Sequence, residues 1–362
     1  MIIFLTFIYL VISVSTELVA EPSLESNRIY RSAYFLGRGH TGISNADHED
    51  AIFYNPAGLA QGKGIYKRTV VASPLVEVSQ ATKDLARRLG AEQSDTVETI
   101  RDNVGKTNHI STSNFTGVIL RRAALGAVVS GNMNLLAFKS KDSGGLEVIK
   151  ADVDQNNALT FSVAEGYWGN SLMIGATGKY LIRSRGELEM SVAESDTAQQ
   201  QLEDTNNFLG TGTGTGIDLG IMYHGNSRAQ PAIGLTVNDV GDTSVIPSQE
   251  TSVDLDLKQT VNLGMSITPG TKFSKFRVLL DYHDILSKRE DNWRKKIHFG
   301  SEITVQEWIG VTGGLNQGYS TFGFYFDLFF FRLDAGMYTQ EMGERVGTRG
   351  DSRYFFRMRA GF

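Results

Sequence analysis

The amino-acid sequence predicts an all-β fold: a transmembrane, antiparallel, up-and-down β-barrel of about fourteen strands, with an N-terminal plug in its lumen and short helices in its external loops. Three observations carry that prediction. The C-terminal third alternates between uncharged and ionisable residues. Its connections are short and long by turns. Beyond the first twenty residues, no stretch approaches the about eighteen apolar residues that a spanning helix needs, so a membrane would be crossed by strands. Composition agrees, since 39 Gly, 20 Phe and 13 Tyr against only 6 Pro suit many strands joined by sharp turns. The absence of cysteine excludes a disulfide scaffold, a thiolate metal site and a cysteine nucleophile, and a net charge of −5 argues against a broad nucleic-acid surface.

The chain opens on an apolar run from Met1 to Val14, then Leu18-Val19-Ala20 before Glu21-Pro22. So short an apolar core ending near a small residue predicts a secretory signal peptide over 1–20. The missing basic residue before the run and the bulk of Leu18 leave an N-terminal membrane anchor as the alternative. Residues 21–64 do not alternate, and the barrel is expected over 65–362. A lumen of about fourteen strands is too wide for its own side chains to fill. The glycine-rich segment just before the first strand is well placed to plug it.

The barrel strands are read from the C-terminus backwards. Tyr354, Phe356, Met358, Ala360 and Phe362 fall on one face, and Arg353, Phe355, Arg357 and Arg359 on the other. In a barrel the arginines point into a wet lumen and the aromatic face meets lipid. Phe331, Leu333, Ala335 and Met337 alternate in the same way with Arg332, Asp334 and Gly336. Phe322, Phe324, Phe326 and Leu328 alternate with Gly323, Tyr325 and Asp327. Similar segments are expected near 307–315, 293–304, 275–284, 257–268, 230–239, 213–225, 171–184, 158–168, 123–138, 111–121 and 65–77. An even number closes the barrel, as it must, because an open edge in lipid costs several kcal/mol per unpaired backbone group. Extended inward, the alternation assigns Lys179, Arg183, Arg277, Asp281, His283, His298, Glu302, Asp327, Arg332, Asp334, Arg353, Arg357 and Arg359 to the lumen. Their mixed signs predict ion-pair networks that fix the plug, and the basic members could instead hold a ligand carboxylate.

Short turns fall at 121–122, 168–170, 225–227, 269–270, near Gln306 and near Phe329, and long polar loops at 78–110, 139–157, 185–212, 240–256, 285–292 and 341–351. Only Gly318-Tyr319 breaks the rule. Short periplasmic turns and long external loops place both termini on the periplasmic side. Helical spacing at Leu85, Leu89, Val97, Ile100 and Val104 predicts one or two short helices in the first external loop, and 186–208 reads as a polar, acidic loop.

Two motifs invite a chemical reading. Asn45 to Asp50 holds carboxylates and an imidazole but matches no metal-ligand spacing, so pairing with lumenal Arg and Lys is expected instead. Gly210 to Gly216 (GTGTGTG) has no Lys-Ser/Thr after it, which argues against a phosphate loop. Its glycines put bare backbone toward the lumen, leaving room for the plug or marking a kink. No Ser–His–Asp set has credible spacing, and neither an enzyme, a cofactor nor a metal is expected.

The run Ala51–Ala60 (AIFYNPAGLA), after a glycine-spaced start and an acidic stretch, resembles the FadL-type hydrophobic-compound transporters and their relatives, the PorV/PorQ-type outer-membrane proteins. The tail from Gly313-Gly314-Leu315-Asn316 to the terminal Phe362 is similar to the latter group. The resemblance implies a Gram-negative outer-membrane barrel of fourteen strands whose hatch block, Asn55, Pro56, Ala57, Gly58 and Leu59, lies inside the lumen. Tyr354, Phe356 and Phe362 would then serve as the signal read by the barrel-assembly machinery. In FadL-type members a hydrophobic ligand passes beside the hatch, whereas PorV-type members serve secretion. Two functions follow as expectations. Passive transport of small hydrophobic or amphipathic compounds predicts an apolar pocket beside the hatch with a basic side chain at one end. A secretion or surface-attachment scaffold that binds an exported protein predicts a filled lumen and apolar external loops. A purely structural barrel or adhesin would have neither.

Overall fold

The computed structural model describes residues 28–61, 66–89, 105–139, 147–191, 209–270, 274–306, 308–328 and 330–362. The expected signal peptide, the second half of the first external loop and most of the acidic loop at 186–208 lie outside those residues.

Inter-strand pairing organises everything else. The strands are β1 (Tyr66–Ala72), β2 (Leu75–Ser79), β3 (Thr107–Leu120), β4 (Ala123–Lys139), β5 (Glu147–Tyr167), β6 (Leu172–Ser191), β7 (Leu209–His224) and β8 (Ala232–Asn238), followed by β9 (Val245–Pro247), β10 (Thr260–Ile267), β11 (Ser274–Tyr282), β12 (Ile297–Val305), β13 (Ile309–Asn316), β14 (Tyr319–Asp327), β15 (Phe331–Glu341) and β16 (Gly350–Gly361). Each neighbour is antiparallel, and β16 pairs with β15 on one side and with β1 and β2 on the other, so the sheet closes. β1 and β2 are halves of one strand, since both pair with β3 and both with β16. β9 pairs only with the upper part of β7. With β1–β2 taken as one and β9 set aside, the wall has fourteen strands. At the break, Pro74 has no N–H to donate. The Ser73 amide is satisfied by the Asn114 side chain (2.9 Å), and the Pro74 carbonyl accepts from the Met358 amide (3.1 Å).

The two faces of the wall separate as the alternation requires. Phe322, Phe324, Tyr354, Phe356 and Met358 face outward and exposed, while Arg353, Arg357 and Asp334 are buried within. The outer belt continues through Leu125, Leu159, Phe161, Ile174 and Ile217, all exposed. Apolar side chains this numerous have no reason to face water in a ring, but every reason to face lipid.

Several boundaries depart from the sequence reading. β5 and β6 run 21 and 20 residues, so 147–157 and 185–191, expected as loop, are strand. About 70 Å of rise is far more than the roughly ten residues a bilayer requires. The tall part of the wall therefore stands clear of lipid, where Gln155 and Asn157 take outward positions opposite the buried Asp152, Asp154 and Asn156. The one-sided apolar signal vanishes although the hydrogen-bond ladder continues. At the other extreme, β12 begins at Ile297, because Trp293–Lys296 forms a 3-10 turn capped by the Asn292 side chain on the Arg294 amide (3.1 Å). The first external loop contains the helix α3 (Gln80–Leu89).

Residues 28–61 lie inside the barrel. They form α1 (Ala33–Gly37), capped by the Ser32 hydroxyl on the Phe35 amide, then α2 (His48–Tyr54), whose first turn carries Glu49 and Asp50 where the helix dipole favours negative charge. Asn55-Pro56 ends α2, and a 3-10 turn (Pro56–Gln61) follows. The wall admits this segment through glycines. A Cβ on Gly220 would collide with the Asn55 side chain, and one on Gly175 with the Pro56–Ala57 backbone. The GTGTGTG run serves a different neighbour from the one expected. Gly210, Gly212, Gly214 and Gly216 face Thr251, Val245–Ile246, Ser244 and Thr243, so they make room for the inward-folded connection after β8, not for the plug.

If the outer belt contacts lipid, Phe324→Arg at its centre should cost about 2–4 kcal/mol. Urea unfolding in phosphatidylcholine vesicles measures this. An unchanged midpoint would mean that this face does not meet the hydrocarbon.

Candidate functional site

Among the described residues, four sets of paired lumenal charges grip the N-terminal segment or the connections folded above it. The first centres on Glu302, which accepts from Arg38 (3.2 Å), Arg277 (3.0 Å), the Tyr34 hydroxyl (2.6 Å) and the Tyr325 hydroxyl (2.9 Å). The Arg38 guanidinium also lies over the rings of Tyr34 and Phe35, at 4.1 and 4.2 Å from their centroids. A fully buried guanidinium needs this many partners, because leaving it unpaired costs several kcal/mol.

The second set lies on the last three strands. Asp334 takes Arg332 (2.9 Å) and Arg357 (2.8 Å), Asp327 takes Arg332 and Arg359 (each 3.2 Å), and Glu49 of α2 takes Arg359 (2.7 Å) with Arg357 at 3.8 Å. Burial alone would push Glu49 up, but the Arg359 and Arg357 charges outweigh it and hold its carboxyl well below the usual carboxylate range. Its neighbour Asp50 has no such surplus. Burial and the adjacent Glu49 push Asp50 up to about 6, although it accepts from the Tyr30 hydroxyl (3.0 Å).

The third set joins Lys179 to Asp218 and Asp239 (both 2.7 Å), with Arg289 reaching Asp239 (3.1 Å). The fourth joins Arg183 to Asp154 (2.7 Å) and to the Leu255 carbonyl (2.8 Å) of the inward connection. Among the described residues Asp281 holds no cation within hydrogen-bond distance, with His283 Nε2 at 3.7 Å. It accepts the Gly42 and Ile43 amides (2.7 and 3.1 Å) and so pins the turn between α1 and α2. His298 contacts the Gly39 carbonyl through Nδ1 (3.1 Å), and Arg353 pairs with Asp351 (2.7 Å) away from the segment.

In the Asn55–Leu59 block, the Asn55 amide donates to the Ile43 carbonyl (2.8 Å) and to the Ile221 carbonyl of the wall (3.2 Å), while its oxygen accepts from Ala57 (3.2 Å). Pro56, Ala57, Gly58 and Leu59 are buried behind it. Tyr354, Phe356 and Phe362 face outward, and the Phe362 backbone pairs with Thr69 at the seam (2.6 and 2.9 Å). In the Asn45–Asp50 run, Glu49 goes to Arg359, whereas His48 stays near Asp47 at 3.8 Å.

Several participants escaped the sequence reading. Arg31 binds the Tyr338 hydroxyl (2.9 Å) and Glu77 (3.3 Å) at the β1–β2 strand, and Tyr338 donates to the same carboxylate. Arg31 and Arg38 sit in a segment without periodicity, so nothing in the sequence assigned them a face. Asp154 and Arg289 lay in expected loops, and Asp239, at the end of an expected strand, belongs to the connection after β8, whose inward fold only the structure shows.

Between the segment and the long loops lies a cavity of about 690 Å³. Ile29, Tyr30, Phe53, Tyr54 and Leu257 supply its apolar part. The rest is polar: Lys179, Asp218, Asp239 and Arg289 on one side, His283, Lys296 and His298 on another, and Gln340 and Glu341 on a third. The expected apolar pocket is therefore corrected to a mixed one. The inward faces of strands in a wide barrel are polar, and the loops roofing this cavity carry charge.

No family model matches the sequence, and no curated protein matches it. Solved structures do. The toluene transporter TodX of Pseudomonas putida superposes with a TM-score of 0.51 at 11% identity, over 95% of this chain and 99% of that one. The monoaromatic hydrocarbon channel CymD gives 0.52 at 11% identity, over 91% and 96%. The likeness is one of fold. It is the fold that the FadL-type resemblance implied, and both neighbours are transport proteins rather than enzymes.

Glu302→Ala leaves Arg38 and Arg277 buried without their carboxylate and should destabilise the protein by about 3–5 kcal/mol, read as a lowered urea midpoint. Asp50 gives a pH signature. Its folded pKa lies above its unfolded value, so the folded state binds more protons between roughly pH 4 and 6 and loses stability as pH rises through that window. Asp50→Asn should therefore stabilise at pH 8, with the gain fading toward pH 4. A constant offset across that range would refute the assignment.

Proposed function

We propose that this chain is an outer-membrane barrel that passes small hydrophobic or amphipathic compounds passively, with residues 28–61 as its movable hatch and Asn55–Leu59 as the hatch block. One observation carries the reading: the hatch forms the floor of a ligand-sized cavity whose apolar patch lies beside charged walls. Such a surface suits a molecule with an apolar body and a polar head. The hydrocarbon transport named for TodX and CymD agrees with the apolar part of that description. In this reading a signal peptide directs export, the barrel-assembly machinery reads the C-terminal strand through Tyr354, Phe356 and Phe362, and both termini face the periplasm.

The ion-paired filling below the cavity favours a second reading, a PorV-type scaffold whose closed lumen supports loops that hold a secreted protein. Hatch movement separates the two. The Ser44 and Ser266 hydroxyls lie 2.9 Å apart across the hatch–wall boundary, and the chain has no cysteine of its own. A Ser44→Cys/Ser266→Cys pair therefore provides a reversible lock. Vesicles carrying the protein should take up a fluorescent medium-chain alcohol faster than empty vesicles, oxidation of the pair should abolish the excess, and a reductant should restore it. Equal uptake by empty and protein-bearing vesicles removes the transport reading. Uptake indifferent to the lock removes the hatch.

A further inference from the structure

The helix α3 follows β2 directly, and its first turn is bonded to β3. The Ser79 hydroxyl donates to the Thr107 carbonyl (3.1 Å) and accepts from the Thr82 and His109 amides (each 3.1 Å). The Thr82 hydroxyl donates to the His109 carbonyl (3.2 Å). The start of α3 is thereby fixed to the wall, and the direction of its next side chains with it.

Lys83 comes next, and it reaches over the outside of the barrel. Its ammonium stands 3.9 Å from the centroid of the Tyr354 ring, which faces outward near the start of β16. Tyr354 pairs with Val78, and Phe356, one outward step nearer the C terminus, pairs with Val76. Phe356, Val76 and Ile110, the β3 partner of Val78, are exposed apolar side chains. Lys83 thus marks the edge of the apolar belt, on its outer side, at the rim away from the C terminus. Arg87 lies four residues further on and shares the helix face of Lys83. Its side chain is 73% exposed, with the Asp84 carboxylate at 3.8 Å, and both oxygens of that carboxylate accept from Gln80 (3.0 Å each). Among the described residues Lys83 has the Tyr354 ring, and no carboxylate, as its partner.

Two cations one turn apart, above an exposed apolar strip, match a lipid better than a soluble anion. In a bilayer the headgroup phosphates stand above the acyl chains, at the level to which Lys and Arg extend their charged ends. A phosphate there accepts charge-assisted hydrogen bonds, and the chains of the same molecule displace water from the strip. A soluble anion gains the first contact without the second. We propose that Lys83 and Arg87 form a headgroup site for the phosphate of a membrane lipid, whose chains lie over Val76, Tyr354 and Phe356. With both termini in the periplasm, as proposed above, that lipid is the phosphorylated glycolipid of the outer leaflet. Its binding fastens α3, and with it the β2–β3 connection, to the membrane rim.

The test offers the full chain, in a non-ionic detergent, lipid A with both phosphates or the same lipid enzymatically dephosphorylated. Native mass spectrometry reads the lipid retained. The phosphorylated form should be held in preference, and millimolar inorganic phosphate should not displace it. Lys83→Gln/Arg87→Gln should weaken retention on the order of tenfold. The charge-retaining exchange Lys83→Arg/Arg87→Lys should keep it, and Arg122→Gln, at the opposite rim, should leave it unchanged. Equal retention of the dephosphorylated lipid, or equal weakening by Arg122→Gln, would overturn the site. Displacement by inorganic phosphate would also overturn it, since the lipid chains would then contribute nothing. Orientation in the cell plays no part in detergent, so a failed site leaves the proposed orientation standing.

Discussion

A closed sheet around a wide lumen sets the terms for every other feature of this molecule. Lipid supplies no hydrogen bonds, so every backbone group in the wall must pair with a neighbouring strand and the outward side chains must be apolar. All the polar alternation is thereby forced inward. A side chain such as Arg357, with no exposure to solvent to speak of, cannot remain charged there without a partner. The lumen is consequently crowded with charges that must satisfy one another.

The N-terminal segment meets part of that need. Glu49 neutralises Arg359, Arg38 shares Glu302 with Arg277, and the Gly42 and Ile43 amides bond one carboxylate oxygen of Asp281. Segment and wall are therefore complementary in charge as well as shape. Removing one partner strands the other, whereas displacing the segment as a unit exposes whole networks to water entering behind it. On the proposed transport reading, that difference lets the segment be firmly seated and still move, since hydration can replace the pairing that each network loses.

The wall is also lopsided. β4 to β7 rise well past the lipid, whereas β8 and β10 to β14 have seven to nine residues each. On the short side the connections after β8 and β11 fold inward and roof the cavity, and the glycines of β7 give the first of them room. The same lopsidedness makes the cavity polar, because its roof is built from loops that would otherwise face water.

Much was legible in the sequence. The fold class, the strand number and the lumenal face of Arg332, Asp334, Arg357 and Arg359 follow from a period of two, because the lipid-facing side imposes a local, repeating signal, whereas the burial of Asn55–Leu59 was expected from the family resemblance of that block. Partner choice left no such trace. Whether Glu302 meets Arg38, whether Gly210–Gly216 faces the hatch or a loop, and where β5 begins depend on contacts between residues distant in the chain, and where the wall leaves the lipid the alternation fades. The sequence by itself determined which side of the wall each strand residue occupies, since that is set by its immediate neighbours. Only the tertiary structure decided which charges pair with which, since charge balance in a lumen is a property of everything the closed sheet encloses.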